Sequence, residues 1–197
     1  MISEMIIASE NQGKIKEIQY YAQELPIQIH TLTSLNIHLP DELEAFSDYH
    51  RNAQAKADYV FMRTGLSVLA DDSGLEVDFL GGAPGVHSAR YSSEGTSQAN
   101  RRLLLENMKA LEDKDRSASF ICVLCWKNAS DTLFFEGRSF GTILEKEQGE
   151  KGFGYDPVFF DEEMKKTYAE LSFEEKISTS HRGRALEKWL AYMKSLQ

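Results

Sequence analysis

The sequence predicts an α/β protein, and three observations carry that expectation. A short apolar run, residues 5–8, breaks into the polar turn Ser9-Glu10-Asn11-Gln12-Gly13-Lys14, and Ile15, Ile18, Tyr21, Ala22 and Leu25 then follow at helical spacing. A second apolar run, residues 66–70, ends in two adjacent acids, Asp71 and Asp72, followed at once by Ser73-Gly74. The chain closes on a helical pattern over residues 181–195, with Leu186, Trp189, Leu190 and Met193 on its apolar side. Strands that end in polar residues and feed helices belong to open α/β sheets, whose ligands sit outside the carboxyl ends of the strands.

The elements between these landmarks follow in order. Residues 27–32 read as a second strand, and residues 33–46 as an irregular acidic stretch with Asp41, Glu42 and Glu44. Residues 47–63 predict a helix with Ala53, Ala57, Val60 and Phe61 inward. Residues 66–72 and 75–79 predict two strands joined by a Ser73-Gly74 turn, and the glycine-rich segment Gly81, Gly82, Pro84, Gly85 predicts a loop. Residues 96–111 predict a helix with Leu103, Leu104, Met108 and Leu111 on its apolar side. Residues 117–127 and 132–139 predict antiparallel strands about an Asn128-Ala129-Ser130-Asp131 turn, and residues 141–144 a further short strand. No repeat, low-complexity linker or composition break divides the 197 residues, so one domain is expected, or two lobes sharing a core.

Composition narrows the function. A net charge of −9 argues against nucleic acid as a partner, because phosphate backbones require a basic footprint. The two cysteines, Cys122 and Cys125, lie in the apolar run SFICVLCW without a second pair, which reads as buried thiols in a reducing compartment. No signal-peptide pattern and no apolar run of membrane-spanning length is visible, so the expectation is a cytoplasmic protein with no membrane partner.

Four segments carry residues suited to chemistry. The turn from Ser9 to Lys14 opens a helix, whose first N–H groups attract anions; Ser9 and Asn11 add side-chain donors and Lys14 a charge, although no GxxxxGK(S/T) loop is present. Asp71 and Asp72 offer oxygen ligands for a divalent metal, and Ser88 and Arg90 beyond the glycine loop offer donors for an anion. In GFGYDP, residues 152–157, glycines flank Phe153, so its ring is either a core aromatic between turns or a platform for a flat base. Asp156, held extended before Pro157, is expected to order that loop. In SHRGRAL, Ser180 caps the last helix and His181 and Arg182 place cations in its first turn, where the dipole disfavours them; with Lys176 they point to an acceptor-rich ligand. Lys and Arg are donor-only, which favours a 6-keto purine over adenine.

These segments resemble, nearly end to end and in order, the RdgB/Ham1 family of noncanonical purine NTP pyrophosphatases (XTP/dITP diphosphatases, related to inosine triphosphate pyrophosphatase). The resemblance rests on ASENQGKIKEI, ADDSGLEVDFLGGAPGVHSARYS, GFGYDPVFF and AELSFEEKISTSHRGRAL. It implies an elongated mixed β-sheet with flanking helices forming two lobes around a nucleotide-binding cleft, usually as a homodimer, and hydrolysis of ITP, dITP and XTP to the monophosphate and pyrophosphate with Mg²⁺. By position it assigns Ser9, Glu10, Asn11, Gln12, Gly13 and Lys14 to the triphosphate, Asp72 to general base and metal ligand, and Ser73 to a substrate contact. It assigns Phe153, Gly154, Tyr155, Asp156, Lys176, His181 and Arg182 to the nucleotide and its base. One stretch departs: DELEAFSDYHRNAQAKA has Arg51 where the family has Glu, while Asn52, Ala53, Lys56 and Ala57 match. Lys56 is thereby a substrate contact and Glu44 the second metal ligand, with Glu42 competing for that place.

The expected chemistry is attack of a water, deprotonated by Asp72, on the α-phosphorus. Alternating side chains on a strand send Asp71 and Asp72 to opposite faces, so only one of them dominates such a site. Two other classes compete: a phosphomonoesterase working through an aspartyl phosphate, whose DxDx(T/V) loop is missing, and a nucleotide-binding regulator without catalysis.

Overall fold

The computed structural model of the chain describes residues 2–109 and 115–196. Its elements are β1 (Glu4–Ala8), α1 (Gln12–Ala22), β2 (Gln28–Thr31), α2 (Tyr49–Thr64), β3 (Ser67–Val77), α3 (Ser97–Asn107), β4 (Ser117–Lys127), β5 (Thr132–Ile143), β6 (Phe159–Asp161), β7 (Lys166–Thr167), α4 (Phe173–Thr179) and α5 (His181–Ser195). Short 3₁₀ segments occupy Thr33–Leu35, Asp41–Glu44, Asp78–Leu80 and Gly85–Arg90. The strands form a seven-stranded mixed sheet in the order β2-β1-β3-β4-β5-β6-β7. β1 runs parallel to both β2 and β3, whereas β5, β6 and β7 pair antiparallel. The α/β class and the mixed sheet are therefore as expected. Among the described residues no helix is long and apolar enough to cross a membrane.

Local chemistry sets the helix starts. Asn11 caps α1 by accepting from the Lys14 N–H, Asp48 caps α2 by accepting from the Arg51 N–H at 2.8 Å, and Thr96 caps α3. Ser172 and Glu175 form a reciprocal capping box on α4, a helix not expected from the apolar spacing of the sequence. α2 stops at Gly65, which takes φ +68°. α3 ends at Asn107, and Leu111, expected on its apolar side, lies outside the described residues.

Contacts divide the chain into two compact units. The first comprises Met1–Asp72, Cys122–Gly137 and Arg182–Gln197. Met5, Ile6 and Ile7 of β1, Ile18 of α1, Ala53, Ala57 and Val60 of α2, Leu69 of β3, Trp126 of β4 and Trp189 of α5 are fully buried there. The second comprises Ser73–Ile121 and Arg138–His181, with a core of Leu75, Val77, Leu104, Met108, Phe120, Tyr155, Phe159 and Tyr168 among others.

The structure corrects two readings of strands. β3 is uninterrupted from Ser67 to Val77, with no turn at Ser73-Gly74. Leu75 and Val77 are both fully buried in the second unit's core, and sheet pairing with burial outweighs the local turn preference of Ser-Gly. The strand ends at Val77, so Phe79 falls in a 3₁₀ turn and is half exposed. Likewise the two short strands expected over residues 132–144 are one, β5.

Candidate active site

The first unit gathers the predicted phosphate and metal residues around β3. The last β1–β3 pair is Ala8 with Ala70, so β3 runs on past the end of β1 and carries Asp71 and Asp72 beside the turn that starts α1. β1 has parallel neighbours on both sides, which makes its carboxyl end the place where a doubly flanked α/β sheet receives a ligand. In the turn, the Ser9 hydroxyl accepts from the Asn11 N–H at 3.2 Å and Asn11 Oδ1 from the Lys14 N–H at 3.1 Å. Glu10, Asn11 and Gln12 are exposed, Gly13 and Lys14 partly so.

Asp71 and Asp72 do face different partners. Asp71 is fully buried: Lys14 Nζ donates to its Oδ1, while Arg182 Nε at 2.7 Å and the Cys122 thiol at 3.1 Å donate to Oδ2. Burial by itself would raise this carboxyl, but Arg182 and Lys14 outweigh it and hold Asp71 well below the usual carboxylate range. Asp72 accepts from Lys56 Nζ at 3.1 Å and from Asn52 Nδ2 at 3.1 Å, both on α2. Here burial wins over Lys56 and Lys14, and Asp72 is raised above its ordinary value.

Lys56 is the hub on that side. Its ammonium donates to Glu44 Oε1 at 2.8 Å, to Asp72 Oδ1 at 3.1 Å and to the Asp71 carbonyl at 2.7 Å. Burial would lower it, yet Asp72 and Glu44 leave it raised, so it is charged at neutral pH. Of the two competing acids, Glu44 thus reaches the same cation as Asp72, whereas Glu42 is exposed. Ser73, next on β3, is partly buried.

The second unit gathers the predicted base residues. Gly152 takes φ +74° and lies so close to Asp156 that a Cβ there would overlap its carboxylate. Asp156 Oδ2 accepts from the Phe153 N–H at 2.8 Å and from Lys176 Nζ at 2.7 Å, so Asp156 orders the loop as expected from its place before proline. Lys176 is buried, and its ammonium stands 4.3 Å from the centroid of the Phe153 ring, which is partly exposed. His181 stacks on Phe120 with centroids 4.6 Å apart and planes 11° apart. Tyr155 is buried and its hydroxyl donates to the Ser88 carbonyl at 2.9 Å. Gly154 contributes a carbonyl to Arg101 Nη1 at 2.8 Å.

Two of the expected ligand donors also meet partners within the chain. Arg182, expected beside His181 at the base edge, is 1% exposed, and its Nη1 and Nε donate to Glu17 at 2.6 Å and Asp71 at 2.7 Å. Two of its acceptors are thus the chain's own buried acids. Ser88, read as an anion donor, has its hydroxyl committed to Gly85 O at 2.6 Å and to the Leu75 N–H at 2.8 Å, tying the glycine loop to β3; Arg90 is exposed.

Sequence reasoning missed Glu17, the Cys122 thiol, and Arg101. Glu17 carried a readable signal: it is an acid three residues after Lys14, beside Ile18 on the buried face of α1. Cys122 carried none, because a thiol in an apolar strand reads as packing.

Comparison with known proteins gives the family. The sequence model of the Ham1 family matches residues 5–192. The chain is 45% identical over 188 residues to a dITP/XTP pyrophosphatase of Desulfotalea psychrophila, covering 94% of this chain and 83% of that protein. It is 43% identical over 195 residues to a dITP/XTP pyrophosphatase of Clostridium perfringens, covering 95% of each. Among solved structures, a HAM1 protein from Coxiella burnetii superposes with a TM-score of 0.90 at 36% identity, over 98% of this chain and 100% of that one. The Ham1 protein of Staphylococcus aureus gives 0.87 at 35% identity, over 99% and 100%.

Proposed function

Because the chain belongs to the Ham1 family, we propose that it is a dITP/XTP pyrophosphatase, a hydrolase that converts XTP, ITP and dITP to the monophosphate and pyrophosphate and so removes them from the nucleotide pool. The observation that carries the reading is the convergence of Asp72 and Glu44 on the buried Lys56 ammonium, next to the Lys14 turn at the end of β1. The turn from Ser9 to Lys14 receives the triphosphate on its N–H groups and the Lys14 charge. Lys56 adds a second cation for the charge that develops on the phosphate oxygens. Asp72 takes the proton of the attacking water; its raised carboxyl is displaced in the direction a general base requires. The water oxygen bonds to the α-phosphorus, the bond from that phosphorus to the α–β bridging oxygen breaks, and pyrophosphate leaves with the bond's electron pair.

Mg²⁺ fits the residues present. Asp72 and Glu44 are hard oxygen donors that already hold one positive charge between them, and Mg²⁺ takes one or two protein carboxylates and completes its shell with water and phosphate oxygens. When bound, Mg²⁺ would polarise the phosphoryl oxygens and neutralise the pyrophosphate. For the base, Phe153 offers a stacking face, and Lys176 and His181 offer donors that fit the 6-keto group and oppose the 6-amino group of adenine. Arg182 contributes by holding Asp71, and Asp71 by setting Lys14.

The proposal includes a homodimer and a cytoplasmic setting. The homodimer follows the family resemblance, and the two free buried cysteines suit a reducing compartment. The test of the activity is a product assay with ITP, XTP, GTP and ATP, with and without Mg²⁺. Rapid, Mg²⁺-dependent release of pyrophosphate from ITP and XTP, with ATP and GTP poor, is expected. Orthophosphate with a nucleoside diphosphate would place attack on the γ-phosphorus and overturn the assignment of Asp72.

A further inference from the structure

The loop that presents Phe153 carries two left-handed glycines, Gly152 at φ +74° and Gly154 at φ +61°. Two such residues around one ring leave it poorly defined unless hydrogen bonds set the intervening peptides. On one side Asp156 supplies that restraint through the Phe153 N–H. On the other side the restraint comes from Arg101 of α3, a residue outside every motif of the site. Its Nη1 donates to the Gly154 carbonyl at 2.8 Å, while Nε and Nη2 form a two-pronged pair with Glu147 at 2.9 and 3.1 Å. The Arg101 side chain is only 14% exposed, against 42% for Glu147, so the guanidinium is shielded and oriented by the carboxylate as it holds the carbonyl.

We propose that Arg101, oriented by Glu147, is a positioning residue that sets the Gly152–Asp156 loop and thereby the base selectivity of the enzyme. The inference rests on the pyrophosphatase reading for its substrate and on the loop geometry alone for its physical content. Arg101 touches neither phosphates nor reacting atoms in this account; it pre-orders the platform on which the purine stacks, so that binding does not have to order it. A charged donor on a shielded backbone carbonyl is among the stronger hydrogen bonds in proteins, and its loss is felt in the bound base rather than in the chemical step.

The test compares wild type with Arg101→Met, Arg101→Lys and Glu147→Gln. Hydrogen exchange of the loop amides, measured without nucleotide, reads the clamp directly: Arg101→Met accelerates exchange in the loop and leaves β3 and α1 unchanged. Steady-state assays then show KM for ITP raised about tenfold with kcat changed less than about twofold, and the preference for ITP over ATP reduced. Arg101→Lys, which keeps a donor for Gly154, recovers part of both, and Glu147→Gln gives an intermediate effect. Unaltered loop exchange in Arg101→Met overturns the clamp. Faster exchange with unaltered KM and selectivity overturns its role in base recognition. A wild-type protein inactive on ITP and XTP overturns the pyrophosphatase reading itself, while the exchange experiment still reports on the clamp. Should Arg101→Met not fold, Glu147→Gln and Arg101→Lys carry the same comparison.

Discussion

Asp71 and Asp72 are consecutive residues on one strand, both almost fully buried, and their surroundings push them in opposite directions. Asp71 meets two cations and a thiol: Lys14 from α1, Arg182 from α5 and Cys122 from β4. Its charge is over-compensated and it stays ionised. Asp72 accepts from one cation, Lys56, which it shares with Glu44, and from one neutral donor, Asn52, with Lys14 a further favourable charge. Its charge is under-compensated, and burial prevails. The difference teaches how one interior strand holds one carboxyl well below its ordinary value and its neighbour above it, from the same residue type. Where partners outnumber the carboxylate, the group is structural. Where the carboxylate is left short of partners, it is available for chemistry.

The comparison is broken or sharpened by exchanging each acid for its amide. Asp72→Asn should lower kcat on XTP by about 10²–10⁴-fold with the melting temperature little changed, because Lys56 keeps Glu44 and the Asp71 carbonyl. Near-normal turnover in a folded Asp72→Asn protein would remove Asp72 as the base. Asp71→Asn should act first on stability. It leaves the buried Arg182 and the Lys14 ammonium short of an anion, and a loss of about 3–5 kcal/mol is expected in urea unfolding. A destabilisation under about 1 kcal/mol would show that Arg182 is satisfied by Glu17 alone.

The smallest effect is in the pH dependence of stability, measured in chelator so that no metal intervenes. Asp71 has its folded value depressed, so its contribution is present above the ordinary 3.8 and is lost as pH falls through the lower folded value. Asp72 has its folded value raised, so its protonated form adds stability that is complete below 3.8 and is lost as pH rises through the folded value. Asp71→Asn should therefore flatten the acid limb below about pH 4, and Asp72→Asn should flatten the opposite slope just above it. Identical profiles for the two variants would abolish the distinction between the two faces of β3.

Much of the site was legible because its parts are local. A polar turn between a strand and a helix presents N–H groups wherever it occurs, so the strand, turn and helix around Ser9 to Lys14 were readable from their own composition. Asp156 before Pro157, with Gly152 close by, announced an ordered loop in the same way, and the structure shows Asp156 bonding to Phe153. Glu17 stood as a charge on the apolar face of α1 and could have been read as a buried pair member. Arg101, Glu147 and Gly154 could not, since they are far apart in the chain and each is ordinary in its own context.

The sequence by itself determined the α/β class, the helices that follow β1 and precede β3 and β4, the ordering of the loop around Phe153 by Asp156 and the membership of the chain in its family, because these follow from side-chain period and motif order. Only the tertiary structure decided that β3 runs unbroken through Ser73-Gly74, that Arg182 turns to Asp71 and Glu17, and that Glu44 rather than Glu42 meets Lys56. The physical reason is common to all three. Burial and charge pairing act between residues far apart in the chain, 165 positions for Arg182 with Glu17, and such partners are set by packing that no local pattern records.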